Sequence, residues 1–281
     1  MTSTTETERP SIVWLRDDLR LADNPALTAA VERGAPVVVV YLLDEVSRGI
    51  RPLGAAVKWW LHHSLASLAA DIEARGGSLV LRRGDAETEI PKLVSETDAG
   101  AVYWNRRYGR ARDIDAALKS RLRDDGLTVE SFRANLIFEP WTVTTQEGNP
   151  YRVFTQFWKT CLEQGVARDP LDAPTSIRPF DTASDDLDDW GLLPTAPDWA
   201  SGLREHCAPG ENNAHERLEG FVDDVLESYD RRDEPGIEAT SGLSPHLRFG
   251  EISPLQIWHR LHGAVPAPAK QNAAKFLREV G

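Results

Sequence analysis

Sulfur is almost absent: two cysteines, Cys161 and Cys207, and one methionine in 281 residues. Two thiols cannot staple a chain of this size and show no metal-ligand spacing. A disulfide scaffold and a zinc fold are both disfavoured, and no metal is expected. Long apolar runs are lacking as well. The longest, Val37 to Leu43, falls far short of the roughly 18 residues a membrane helix requires. The opening MTSTTETERP has no basic start followed by an apolar stretch, so no signal peptide is read there and cytoplasm is the default. Positive charge is in deficit, with 32 Lys and Arg against 44 Asp and Glu and a net charge of −12. That deficit argues at first against a nucleic-acid partner, although a global balance does not describe a local patch. There is no internal repeat, and no GxGxxG follows the first strand-like run, so the dinucleotide fingerprint is missing.

What remains is the pattern of a folded chain. Hydrophobic residues at 41% and charged residues at 27% exclude a disordered class, and the length allows one large domain or two medium ones. The first 140 residues alternate. Ser11 to Arg16 reads as a short strand. Asp23-Asn24-Pro25 then gives a helix start, a capping Asp or Asn with proline at the first helical position, and the helix closes at Gly34. Val37 to Leu43 is apolar throughout and suits a parallel strand covered on both faces. A helical pattern over Leu53 to Arg75 ends at Gly76-Gly77. Strands at Ser78 to Leu81, Ala101 to Trp104 and Thr128 to Phe132 alternate with helices at Glu87 to Thr97 and Ala111 to Asp125. Five strands joined by helices predict right-handed crossovers and a doubly wound, Rossmann-like parallel sheet of order 3-2-1-4-5.

Past Cys161 the texture changes. Between Leu171 and Ala200 seven aspartates face one basic residue, Arg178, and five prolines from Pro170 to Pro197 interrupt any long element. This stretch reads as an extended, solvated connection. From Asn213 the pattern is helical again, with Leu218, Phe221, Val222 and Val225 on one face. Further helices are read at Pro254 to His262 and Pro268 to Gly281. The expected division is an α/β domain over residues 10–140, a linker over 141–205 and an incomplete all-helical domain over 206–281, the chain being the front part of a longer one.

Thr240, Ser241 and Ser244 offer hydroxyls, Gly242 permits close backbone approach and Pro245 can open a helix. Together these make an anion site, with a plain serine-rich cap as the alternative. Three segments then carry a resemblance: IVWLRDDLRLADNPAL at residues 12–27, NPYRVFTQFW at 149–158 and TSGLSPHLRFGEISP at 240–254. In order and separation they resemble the DNA photolyase/cryptochrome family. The resemblance implies an α/β antenna domain followed by the start of an all-α FAD-binding domain. It implies that Thr240, Ser241, Leu243 and Ser244 hold the FAD pyrophosphate, with Gly242 where many members carry arginine. Tyr229, in a segment resembling the family's Tyr…Arg-Asp-x-Pro pattern, would contact the flavin. Arg231 or Arg232 would face flavin or DNA phosphate, and Arg232 is the candidate DNA contact. Phe276 falls where some members place a flavin-contacting tryptophan, and Glu279 would approach both the flavin pocket and the damaged bases.

Asn105, Arg106 and Tyr108 follow the fourth strand, where ligands of doubly wound sheets bind, and are the candidate antenna residues. The family's folate-associated glutamate is replaced by Gly109, which counts against a methenyltetrahydrofolate antenna; a second chromophore of the deazaflavin, folate or flavin class is unresolved, with no antenna at all as a further alternative. The implied activity is that of a deoxyribodipyrimidine photo-lyase, splitting cyclobutane pyrimidine dimers in DNA with blue light and reduced FAD, as a monomer. A cryptochrome-like photoreceptor without repair is the alternative. The chain alone is expected to hold FAD weakly and to repair nothing. No catalytic residue is assigned. The electron-relay tryptophans of the family lie beyond residue 281; Trp14, Trp59 and Trp158 read as core, and His246 as structural.

Overall fold

The computed structural model describes residues 8–281. Five parallel strands form one sheet: β1 Ser11–Leu15, β2 Val37–Leu43, β3 Leu79–Arg83, β4 Ala101–Asn105 and β5 Thr128–Phe132. Their order is β3-β2-β1-β4-β5, the order that the alternation predicts. Ser11 pairs with Val37 on one side and with Ala101 on the other. Four helices make the crossovers: α1 Pro25–Glu32, α2 Ala55–Glu73, α3 Ala86–Thr97 and α4 Ala111–Asp124. Every residue of β2 is buried. Its alternate side chains feed two apolar layers, one with Trp59, Leu65 and Ile72 of α2, the other with Ile90 of α3 and Leu118 of α4.

A third core lies outside the sheet. It joins Trp158 and Cys161 of α5 (Phe154–Gln164), Leu218 of α7 (Glu211–Gly220), Ile257 and Trp258 of α9 (Pro254–His262), and Phe276 and Leu277 of α10 (Lys270–Val280). A short helix, α6, spans Ser201–His206, and another, α8, spans Ser244–Phe249. The pattern from Asn213 is not one helix: after α7 the backbone passes through a π turn at Phe221–Val225 and a 3₁₀ turn at Leu226–Arg231.

The acidic stretch differs from its expectation. It is extended, yet it is docked rather than solvated. Val37 donates its N–H to Arg178 O at 2.7 Å, Ile177 to Arg75 O at 2.8 Å and Asp185 to Leu81 O at 2.8 Å. Ile177, Trp190 and Leu192 insert into the apolar layer against α2. The aspartates dominate the composition but face water, so charge density concealed three buried apolar anchors. Helix α5, also within the expected linker, belongs to the third core.

In this strand order the chain reverses direction between β1 and β4, leaving a crevice outside their carboxyl ends. The turn at residues 16–24 fills it. Arg16, Asp18, Arg20, Asp23 and Asn24 are all buried there. Arg20 donates to Asp23 O at 3.0 Å, to Ala134 O at 3.1 Å and to Gly250 O at 2.9 Å. Burial pushes its guanidinium pKa below the ordinary value, against the pull of Asp23, Asp18 and Glu211. Asp23 accepts from Ser253 Oγ at 2.5 Å and pairs with Arg168. Glu211 of α7 accepts from the N–H groups of Leu21 and Ala22 at 2.6 and 2.9 Å. Helices and sheet are thus joined through buried charge. Arg20→Met keeps the bulk but leaves three carbonyls without a donor, and it is expected to cost about 3–5 kcal/mol in denaturant unfolding followed by tryptophan fluorescence.

Candidate functional site

A cavity of 640 Å³ lies where the loop before α8 meets α10 and the filled turn after β1. Tyr229, Arg232, Thr240, Ser241, Gly242, Ser244, Phe276 and Glu279 all line it, although 50 positions separate the first from the last. Leu243 does not: its side chain is wholly buried in the third core, so only its backbone can serve the loop. Thr240 and Ser244 are exposed, and Ser241 Oγ accepts weakly from Leu243 N–H at 3.3 Å. The helix end expected to attract an anion is weaker than the sequence suggests, because α8 has only six residues and a short helix sums few peptide dipoles. Hydroxyls therefore carry most of the loop's polarity.

The opposite chemistry comes from Tyr229, Phe276 and Glu279. Tyr229 and Phe276 meet edge to face with centroids 5.3 Å apart. The Tyr229 hydroxyl donates to Glu279 Oε2 at 2.5 Å, and Arg232 Nη2 lies 2.9 Å from Oε1. Burial, reinforced by the Glu279 carboxylate, raises the Tyr229 pKa, so the phenol stays protonated. One carboxylate thereby fixes a neutral donor and a cation on the same wall.

A second cavity, of 380 Å³, opens at the carboxyl edge of the sheet. Arg106 and Tyr108 line it, and both are held by Glu139: Arg106 Nη2 at 2.9 Å and the Tyr108 hydroxyl at 3.0 Å share Oε1. Burial is the main reason the Tyr108 pKa lies above its usual value. Asn105 is the exception among the candidate antenna residues. It lies beneath the turn after β1, fully buried, with its amide nitrogen donating to Asp18 Oδ2 and Asn24 Oδ1 at 2.7 Å each and its oxygen accepting from Ala26 N–H at 3.2 Å. Its polar atoms are already partnered, so it serves the fold of the crevice and not a ligand in it. Asn135 and Leu247 line both cavities and form a wall they share.

Two residues that line the first cavity were not singled out by the sequence, Arg20 and Asn135, and neither was Arg217, which lies against the loop that walls it. The signal for Arg20 was available, since six polar side chains between apolar flanks at residues 16–24 are more than one helix start needs. Nothing local marks Asn135. Arg217 sits against Gly242 only through the fold. His246 is buried and bonds Glu251 at 2.5 Å, while Glu251 also accepts from Trp60 Nε1 at 3.0 Å and Gly210 N–H at 2.8 Å. That places it in a structural network. Among the described residues, no cluster of His, Cys, Asp and Glu could hold a metal ion, and no helix is long and apolar enough to cross a membrane.

Residues 11–175 match the family model described as DNA photolyase. The chain is 47% identical over 275 residues to a deoxyribodipyrimidine photo-lyase of Agrobacterium fabrum, covering 96% of this chain and 57% of that protein. To cryptochrome-1 of Arabidopsis thaliana it is 34% identical over 254 residues, covering 89% of this chain and 37% of that one. Among solved structures, a bacterial class III photolyase from Agrobacterium tumefaciens superposes with a TM-score of 0.90 at 45% identity, over 100% of this chain and 58% of that one. The chain spans little more than half the length of the photolyases it matches.

The position of Asn105 gives a direct test. Asn105→Ala removes three buried hydrogen bonds and leaves Asp18 Oδ2 without its donor and the Ala26 N–H without its acceptor, while Asn24 Oδ1 keeps only Leu27 N–H, so the fold is expected to lose about 2–4 kcal/mol in urea unfolding. An unchanged midpoint would show that the side chain is free for another role.

Proposed function

The chain belongs to the DNA photolyase family, and from that membership we propose that its protein is a deoxyribodipyrimidine photo-lyase whose first cavity holds FAD. The observation that carries this reading is the single cavity gathering Thr240, Ser241 and Ser244 at one part of its wall and Tyr229, Phe276 and Glu279 at another. Its volume lies within the range of ordinary ligand pockets. The donor set fits a molecule with a phosphate segment and a flat apolar ring. Bound there, FAD would supply a light-driven electron to a pyrimidine dimer and accept it back once the dimer has split.

The residues of the chain would do the rest. The hydroxyls of Thr240, Ser241 and Ser244 would hold phosphate oxygens, each bond to a charged group being worth about 1.5–3 kcal/mol. Phe276 and the ring of Tyr229 would exclude water from the ring face. Glu279 would keep Tyr229 protonated and Arg232 in place, the latter within reach of a DNA phosphate. Phosphate contacts position DNA, and a local cation can do this in a chain of net negative charge. The second cavity, with Arg106 and Tyr108 on its wall, is the place for an antenna chromophore of the deazaflavin, folate or flavin class. We place the protein in the cytoplasm as a monomer. A photoreceptor without repair is the second reading, supported by the 34% identity to cryptochrome-1.

The experiment separates the two. The product of the whole reading frame, reconstituted with FAD and reduced, is given an oligonucleotide containing thymine dimers. Loss of dimers under blue light and none in the dark is expected. Bound FAD with no light-dependent loss would favour the photoreceptor, and no FAD binding would contradict both.

A further inference from the structure

Arg217 lies in the last turn of α7, where a cation ordinarily complements the helix dipole and points into water. Here it does neither alone. Its Nε donates to Ser241 O at 2.8 Å, so the guanidinium lies on the loop that walls the first cavity. A Cβ built on Gly242 would stand 2.5 Å from its Nη2, 2.7 Å from Nε and 2.9 Å from Cζ. The guanidinium thus occupies the space in which a side chain at position 242 would begin. Gly242 also has φ +66°, in the left-handed region, so glycine meets two demands at once: the loop's turn and the approach of Arg217.

The two arginines that line this cavity are committed. Arg20 is buried and spends its donors on three carbonyls, and Arg232 is paired with Glu279 at 2.9 Å. Arg217 is 45% exposed, and its ion-pair partner Glu238 is 74% exposed at 3.6 Å, a pairing that neutralises little. A planar guanidinium with donors to spare, resting on the Ser241 carbonyl and against Gly242, matches the geometry of a phosphate oxygen pair.

We infer that Arg217 supplies the positive charge at the phosphate end of the cavity, reaching across Gly242 from α7, and so selects a flavin carrying a pyrophosphate over one without it. This rests on the flavin reading of the site. It makes Arg217 a specificity residue that acts on binding and takes no part in the photochemistry.

The test compares FAD with riboflavin, which shares the ring and lacks the phosphates, by fluorescence titration of the product of the whole reading frame at two salt concentrations. The unaltered protein is expected to prefer FAD. Arg217→Gln is expected to weaken FAD about tenfold, leave riboflavin unchanged and flatten the salt dependence of FAD binding. Wild-type FAD preference retained in Arg217→Gln would overturn the role of Arg217 and leave the flavin reading standing. Equal binding of the two flavins, or of neither, by the unaltered protein would remove the flavin-phosphate reading and this inference with it. Should Arg217→Gln not fold, Gly242→Ala keeps the charge and displaces the guanidinium. A loss of FAD preference there supports the inference, and an unchanged preference overturns it.

Discussion

The guanidinium of Arg20 is the point on which the rest of the structure turns. It sits with no exposure between a turn of the α/β part and the end of α8, and its three carbonyl partners come from residues 23, 134 and 250. Burying a charge is costly unless hydrogen bonds replace its water, and here backbone oxygens do so. Their polarity is directional. An apolar contact could slide, whereas these bonds fix where α8 stops relative to β1. Gly250 reinforces the constraint: it has φ +66°, and a Cβ there would stand 2.1 Å from Asp17 O. The backbones are too close for any other residue.

Both cavities follow from that docking. The crevice at the reversal of strand order, which in doubly wound sheets usually receives a ligand, is filled by the chain's own turn. Ligand space is displaced to either side. One cavity lies along the carboxyl edge by Arg106 and Tyr108, the other between the turn and the helices, and Asn135 and Leu247 separate them. The loop of residues 240–244 is positioned from both ends, by Ile252 and Leu243 in the helical core and by Arg217 lying on Ser241.

The sheet was legible because its signals are local. Apolar runs, the Asn24-Pro25 start and glycine stops mark most strands and crossovers, and β2 and β5 match their expected bounds residue for residue. The flavin-loop candidates came from hydroxyl chemistry at close spacing together with the family resemblance, and the fold gathers them round one cavity. What sequence missed is long-range. The acidic strap hid Ile177 and Trp190, because aspartates that face water outnumber the side chains that face the core. Asn105 read as a ligand-edge residue because strand ends in this fold class usually carry ligands, while its partners Asp18, Asn24 and Ala26 lie about 80 residues away. The meeting of Arg217 with Gly242 depends on how α7 packs and has no sequence signature.

The buried charged turn makes sheet and helices one cooperative unit. Native-state hydrogen exchange tests it most directly, at the amides of Leu19, Leu21, Ala22 and Asp23, whose acceptors are Phe249 O, the two oxygens of Glu211 and Leu171 O. These amides are expected to exchange only by global unfolding, with the same free energy as those of Val39 and Val40 in β2. Exchange of the turn through a much cheaper opening, while the strand amides stay protected, would show that the helical part detaches on its own and would contradict it.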